Sequence, residues 1–183
     1  VGMGDAGIAT APDANASFWN LGKTVFAKNT SSVALTYTPW LKDLGLNDVY
    51  LATMGGYYKL DDQQAISLGL RYFSLGSIQF TDAFSIDLGY SRKLSAKSGV
   101  GIALRYISSD LANGASSGGT TYKKGSSVAG DLHYFHNGAK ANGAGFNWGV
   151  TLSNLGAKIS YTNDANQKDY IPANFGLGGA YTK

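Results

Sequence analysis

From residue 30 onward the chain alternates. Between Gln64 and Leu75, Ile66, Leu68, Leu70 and Tyr72 fall on one side of an extended chain. Ala65, Ser67, Gly69, Arg71 and Phe73 fall on the other. Successive side chains of a strand point to opposite faces, so a period of two marks a strand whose faces differ. The pattern recurs along the chain and predicts strands over residues 30–39, 48–60, 64–75, 82–94, 99–109, 126–136, 146–154 and 173–183. In each clear case one face is aliphatic or aromatic. The other is Gly, Ala, Ser or Thr with a few charges. The expected class is all-β and antiparallel.

The first twenty residues do not alternate. Gly2-Met3-Gly4-Asp5-Ala6-Gly7 and the small residues after it, ending in Trp19-Asn20, fit no period. We expect residues 1–29 to form a non-strand plug and residues 30–183 a partial barrel around it. Gly4, Asp5, Asn15, Trp19 and Asn20 are its candidate packing residues, with Trp19 as the anchor on the periplasmic side.

Two regularities favour a membrane barrel over a soluble sandwich. Connections after the second and fourth predicted strands are shorter than those after the first, third, fifth and seventh, and the Gly/Ala/Asn stretch after the sixth is read as a turn with them. Outer-membrane barrels have short periplasmic turns and longer outer loops. With the first strand running outward, Tyr37, Tyr72 and Tyr106 fall near the outer strand ends. Tyr57, Tyr90, Tyr134, Trp148 and Tyr181 fall near the periplasmic ends. Aliphatics between two aromatic girdles are the pattern of a lipid-facing surface.

Composition narrows the classes. The 183 residues include 25 Gly, 12 Tyr and 0 Cys, with a net charge of +3. The aromatics argue against disorder. The absence of cysteine removes a disulfide framework and a thiolate metal site. The charges form no basic stripe, so nucleic acid is not an expected partner. No window approaches the roughly 18 apolar residues of a membrane helix. Residue 1 is Val, so the start is expected to be processed or cut.

The candidate chemistry is thin. Gly2-x-Gly4-x-x-Gly7 matches a dinucleotide fingerprint literally, but no strand precedes it and Pro12 follows. His133 and His136 fall on opposite faces of one strand, which argues against a shared metal, since a strand would need ligands two apart. Asn163, Asp164 and Asp169 read as a solvated turn. No cofactor and no catalytic residue are expected. The polar face carries Arg71, Asp87, Arg105 and Asp131, alternating in sign across four strands. Opposite charges directly across a sheet stabilise it, and Asp87 can face Arg105. These four are the expected lumen charge ladder.

The opening Gly2-Met3-Gly4-Asp5-Ala6-Gly7-Ile8-Ala9-Thr10, with Asp13-Ala14-Asn15-Ala16 and Trp19-Asn20, resembles the N-terminus of the PorV (LptO) family. The resemblance continues through Asn154-Leu155-Gly156-Ala157-Lys158-Ile159-Ser160-Tyr161 and Tyr170-Ile171-Pro172-Ala173-Asn174-Phe175. It departs at Leu21-Gly22-Lys23, where many relatives carry a Pro-Ala pair. These are outer-membrane proteins of the type IX secretion system of Bacteroidetes, related in fold to FadL-like channels.

The resemblance implies a transmembrane β-barrel of fourteen strands, of which about eight are read here, hence a fragment. It implies a non-enzymatic protein of the cell outer membrane. Its partners would be secreted cargo with C-terminal signal domains, the translocon, the attachment complex and outer-membrane lipid. The cargo would be bound after translocation and passed to the attachment machinery. Candidate cargo-facing residues are Trp40, Tyr122, Lys123, Asp164 and Tyr170, in the outer loops, with the loops at 110–125 and 155–172 foremost. The alternatives are a FadL-like channel for hydrophobic small molecules, or a complete small barrel acting as a structural anchor or membrane enzyme.

Overall fold

The computed structural model describes residues 6–46, 48–76, 82–110, 114–139, 144–164 and 167–183. Eight long strands form one antiparallel sheet: β1 (Ser31–Pro39), β2 (Tyr50–Lys59), β3 (Gln64–Ser74), β4 (Asp82–Lys93), β5 (Ser98–Ser109), β8 (Gly125–His136), β9 (Gly145–Gly156) and β10 (Asn174–Thr182). Two short strands, β6 (Ser116–Ser117) and β7 (Thr120–Thr121), pair with each other inside the stretch read as a polar loop. Long strands next to each other in sequence are neighbours in the sheet, the order being β1-β2-β3-β4-β5-β8-β9-β10. This is an up-and-down meander, curled into half a barrel. Among the described residues it does not close on itself, and β1 and β10 are its edges.

The packing is inverted relative to a soluble domain. The aliphatic face lies on the outside: Leu35 is 76% exposed, Leu104 74% and Leu177 69%. The small and polar face is the buried one. Ala65, Ala103 and Ala129 are buried there together with Asp87, Arg105, Asp131, Ser91, His133 and Thr151. A sheet in water buries its apolar face. A convex surface this apolar over a polar interior is the arrangement of a strand bundle facing lipid.

One expected facing is corrected. Tyr57 is expected on the outward face, in the periplasmic girdle, yet it is buried on the concave side and Tyr58 is the exposed one. The register gives the reason: Tyr57 lies opposite Ser32 and Ser67, both on the polar face, while Tyr58 lies opposite Ile66 on the apolar one.

Aromatics cluster on the convex face at both strand ends. Tyr37, Tyr50 and Tyr72 form a chain with ring centroids 5.1 and 5.9 Å apart. At the other end Tyr134 and His136 pack on Trp148 at 5.0 and 5.7 Å. The β2–β3 and β4–β5 connections are short as expected, but residues 137–144 between β8 and β9 are no fewer than residues 75–81 between β3 and β4. At the β2–β3 turn the Asp61 carboxylate accepts from the backbone N–H of Gln63 and Gln64, both at 2.7 Å. Ser95 Oγ plays the same part at the β4–β5 turn, accepting from Lys97 and Ser98.

The N-terminal segment lies in the concavity. It contains one turn of helix, α1 (Ala16–Trp19), and a 3-10 helix over Leu21–Phe26. The 3-10 helix packs against β4, β5 and β8, and α1 against β2 and β3. Glycine makes this approach possible. A Cβ on Gly99 would lie 2.3 Å from the Gly22 carbonyl oxygen, and one on Gly101 2.5 Å from Leu21 Cβ. These glycines stand near the short-turn end of the strands, so the 3-10 helix fills that end of the concavity.

Candidate functional site

The concave side holds two linked features: the N-terminal segment and a row of charges beside it. The segment is anchored by polar side chains that water does not reach. Asn20 is fully buried. Its amide donates to the carbonyls of Ile8 (3.2 Å) and Tyr134 (2.9 Å), and its Oδ1 accepts from the Gly22 N–H. Lys23 is also fully buried. Its Nζ donates to the Gly7 carbonyl at 2.9 Å and the Thr10 hydroxyl at 3.1 Å, with Asp13 at 3.9 Å. Thr24 Oγ1 and Ser91 Oγ share a hydrogen bond across to β4.

Trp19 is half-buried and lies over Gly7, where a Cβ would meet the indole at 2.2 Å. Asn15 is half-buried at the start of α1 and makes no side-chain cap. Gly4 and Asp5 lie outside the described residues. The most deeply held part is therefore Asn20 to Val25, one turn beyond Trp19. Sequence reasoning missed Lys23 as an organiser of this segment. Its one available signal was a single lysine in a run of small and apolar residues.

Burial lowers the Lys23 ammonium from its ordinary 10.5 to about 8, against the pull of Asp13. The unfolded chain keeps its proton to the ordinary value. Between pH 8 and 10.5 the unfolded state thus binds more protons, and stability rises with pH across that window. Below pH 8 both states are charged and this contribution is flat. Urea unfolding at pH 7, 8, 9 and 10 should show that rise in the native protein relative to Lys23→Met, which lacks the group. A parallel pH dependence in the two would contradict it.

The four charges meet as one network. Arg71 Nη1 donates to Asp87 Oδ2 at 2.7 Å, and Arg105 Nε to Asp87 Oδ1. Arg105 Nη2 donates to Asp131 Oδ2 at 2.8 Å. Asp87 and Arg105 are direct cross-strand partners. Both carboxylates are 2% exposed, so their desolvation is offset by two charged hydrogen-bond partners at Asp87 and one at Asp131. Arg71 is held face-on by Phe18 of α1, its guanidinium carbon 4.4 Å from the ring centroid.

Asn154 completes the network and was not foreseen. It has a left-handed backbone, φ 60°, beside an irregularity of pairing between Gly130 and Leu132. Its N–H donates to Asp131 Oδ1 at 2.7 Å, its Oδ1 accepts from Arg105 Nη1, and its amide donates to the Pro172 carbonyl at 3.1 Å. It ties the charges to the connection that follows β9.

That connection joins the other long loop. Lys123 donates its N–H to the Tyr161 carbonyl (2.8 Å) and its Nζ to Asn163 Oδ1 (2.9 Å). Ser127 Oγ donates to the Ala157 carbonyl at 2.7 Å. Of the expected loop residues, Lys123, Asp164 and Tyr170 are exposed and Tyr122 is half-buried. Lys158 covers the Tyr170 ring at 4.1 Å. Trp40 stands apart, 48% exposed and edge-on to Phe73 across the sheet.

An apolar convex face, girdled strands, an antiparallel meander and a polar, occupied concavity define a β-barrel-type membrane protein. No helix among the described residues is long and apolar enough to span a membrane. The family model described as type IX secretion system protein PorV matches residues 1–182, and the chain belongs to that family. It is thus a component of the type IX secretion system, and fold and family together fit the outer membrane. The family is one of secretion components rather than enzymes. Comparison with curated proteins finds no match.

Proposed function

We propose that the protein binds secreted cargo through its C-terminal signal domain after translocation and passes it to the surface-attachment machinery. The observation that carries this is the joined pair of long loops. Residues 114–124 and 157–164 are joined at the long-loop end by the hydrogen bonds of Lys123 to Tyr161 and Asn163, and Lys123, Asp164 and Tyr170 are exposed there. Long barrel loops are the variable, functional parts of such folds. On this reading the long-loop end faces outward and residues 6–27 act as a plug on the periplasmic side. Further strands cover β1 and β10, since unpaired strand edges are not tolerated in lipid.

The alternative of a channel for hydrophobic molecules is disfavoured by the charges of the concave surface, where Arg71 and Arg105 stand with Asn154 among the apolar side chains that line it. Capture of cargo by the full-length protein tests the proposal. Shortening both loops is expected to lower capture at least tenfold. Undiminished capture overturns the assignment to the loops.

A further inference from the structure

Between the N-terminal segment and the long-loop end the concave face holds a cleft of about 440 Å³. That is within the roughly 300–1,000 Å³ of small-ligand sites. The charge network is neutral in sum but not in arrangement. Arg71 and Arg105 reach the cleft wall, whereas Asp87 and Asp131 lie behind them. The cleft therefore faces cations.

Arg71 is the pre-oriented one. Phe18 covers its face, and its Nη1 is taken by Asp87 and, at 3.4 Å, Ser85. Its Nε and Nη2 make no hydrogen bond among the described residues. That free edge is the fork that holds the two oxygens of a carboxylate. Phe18, Trp19 and Ile8 supply an apolar floor, and the amides of Asn154 and Asn174 line the wall above it. Through Asn154 the wall continues into the connection proposed above to meet cargo.

We propose that this cleft binds a carboxylate borne on a short apolar or aromatic body, and that its source is the C-terminal end of a peptide chain. The peptide source rests on the cargo reading above; the carboxylate chemistry does not. The Arg71 fork holds the terminal carboxylate. The last side chain rests on Phe18 and Trp19, and the preceding peptide groups meet the asparagine amides.

Calorimetry on the full-length protein in lipid nanodiscs tests it with three probes: an acetylated tripeptide ending in Phe with a free carboxyl, its C-terminal amide, and 3-phenylpropionate. The free acid is expected to bind at one site and the amide at least tenfold more weakly. Arg71→Gln should reduce binding of the acid at least tenfold. Ser153→Trp, which puts an indole into the cleft from a position that takes no part in the ion pairs, should abolish it, and it decides the matter if the Arg71 variant fails to fold. No binding of the acid, equal binding of acid and amide, or binding retained in Ser153→Trp overturns the site. If 3-phenylpropionate binds as tightly as the peptide, the site takes small carboxylates and the peptide source is overturned. Acid–amide parity is a failure of this site whichever way the loop-shortening experiment falls, so the two readings fail separately.

Discussion

Arg105→Leu is expected to lower the stability of the folded protein by about 3–5 kcal/mol, the range for removing one partner from a buried ion pair. Among the described residues Arg105 is the one side chain that reaches both buried carboxylates. Without it Asp87 keeps Arg71, but the hydrogen bond left to Asp131 among the described residues is that from the Asn154 N–H. The loss should therefore fall mainly on Asp131. The double variant Arg105→Leu with Asp131→Leu should recover much of it, because an apolar replacement of both partners leaves no stranded charge. Urea unfolding of the two variants in lipid measures this. A double variant no more stable than the single one would show that the pairing is not what the interior depends on.

The second large effect is on the opposite face. Leu104 stands midway along β5, 74% exposed, between Leu88 and Gly130 on its neighbours. In water, replacing an exposed Leu by Arg changes stability by roughly 0.5 kcal/mol or less. At the middle of a bilayer the same change on a barrel surface costs about 2–4 kcal/mol. Leu104→Arg is accordingly expected to destabilise the protein in lipid by that larger amount. Leu177→Arg, near the middle of β10, should behave similarly, and an arginine at Tyr106, nearer the strand end, should cost less. A flat profile along the strand would be the behaviour of a sheet in water.

Most of the sheet was legible because alternation is a local signal. The eight strands, their facings and the Asp87–Arg105 pairing follow from a period of two and from short turns that limit the register. The misplacement of Tyr57 shows where that signal fails. Met54-Gly55-Gly56-Tyr57-Tyr58 offers apolar residues and glycines on both faces, so only the partners Ser32 and Ser67 decide which tyrosine turns inward. Helix α1 and the 3-10 helix were not legible either. Four and six residues are too few for a helical period to register.

The site was legible in its charges but not in its connections. Arg71, Asp87, Arg105 and Asp131 stood out as the arginines and aspartates of a face made mostly of small, uncharged side chains. Asn154 did not, because its role depends on a left-handed backbone and on Pro172, eighteen residues away. The hydrogen bonds that join residues 123 and 127 to residues 157, 161 and 163 are likewise non-local, and no pattern in either loop announces the other.

This sheet is inverted: its aliphatic face is turned out, toward lipid, and its polar face in upon the N-terminal segment. The 183 residues contain no cysteine, so single cysteines for nitroxide labels can be introduced without background from them. Labels at Leu68, Leu88 and Leu104 report the convex face, and labels at Ala65, Ala103 and Ala129 the concave one. Collision accessibility in outer-membrane vesicles is the measurement. The three leucine positions are expected to be accessible to oxygen and shielded from a polar nickel chelate, while the three alanine positions are shielded from oxygen. Leucine positions open to the nickel chelate and closed to oxygen would contradict it.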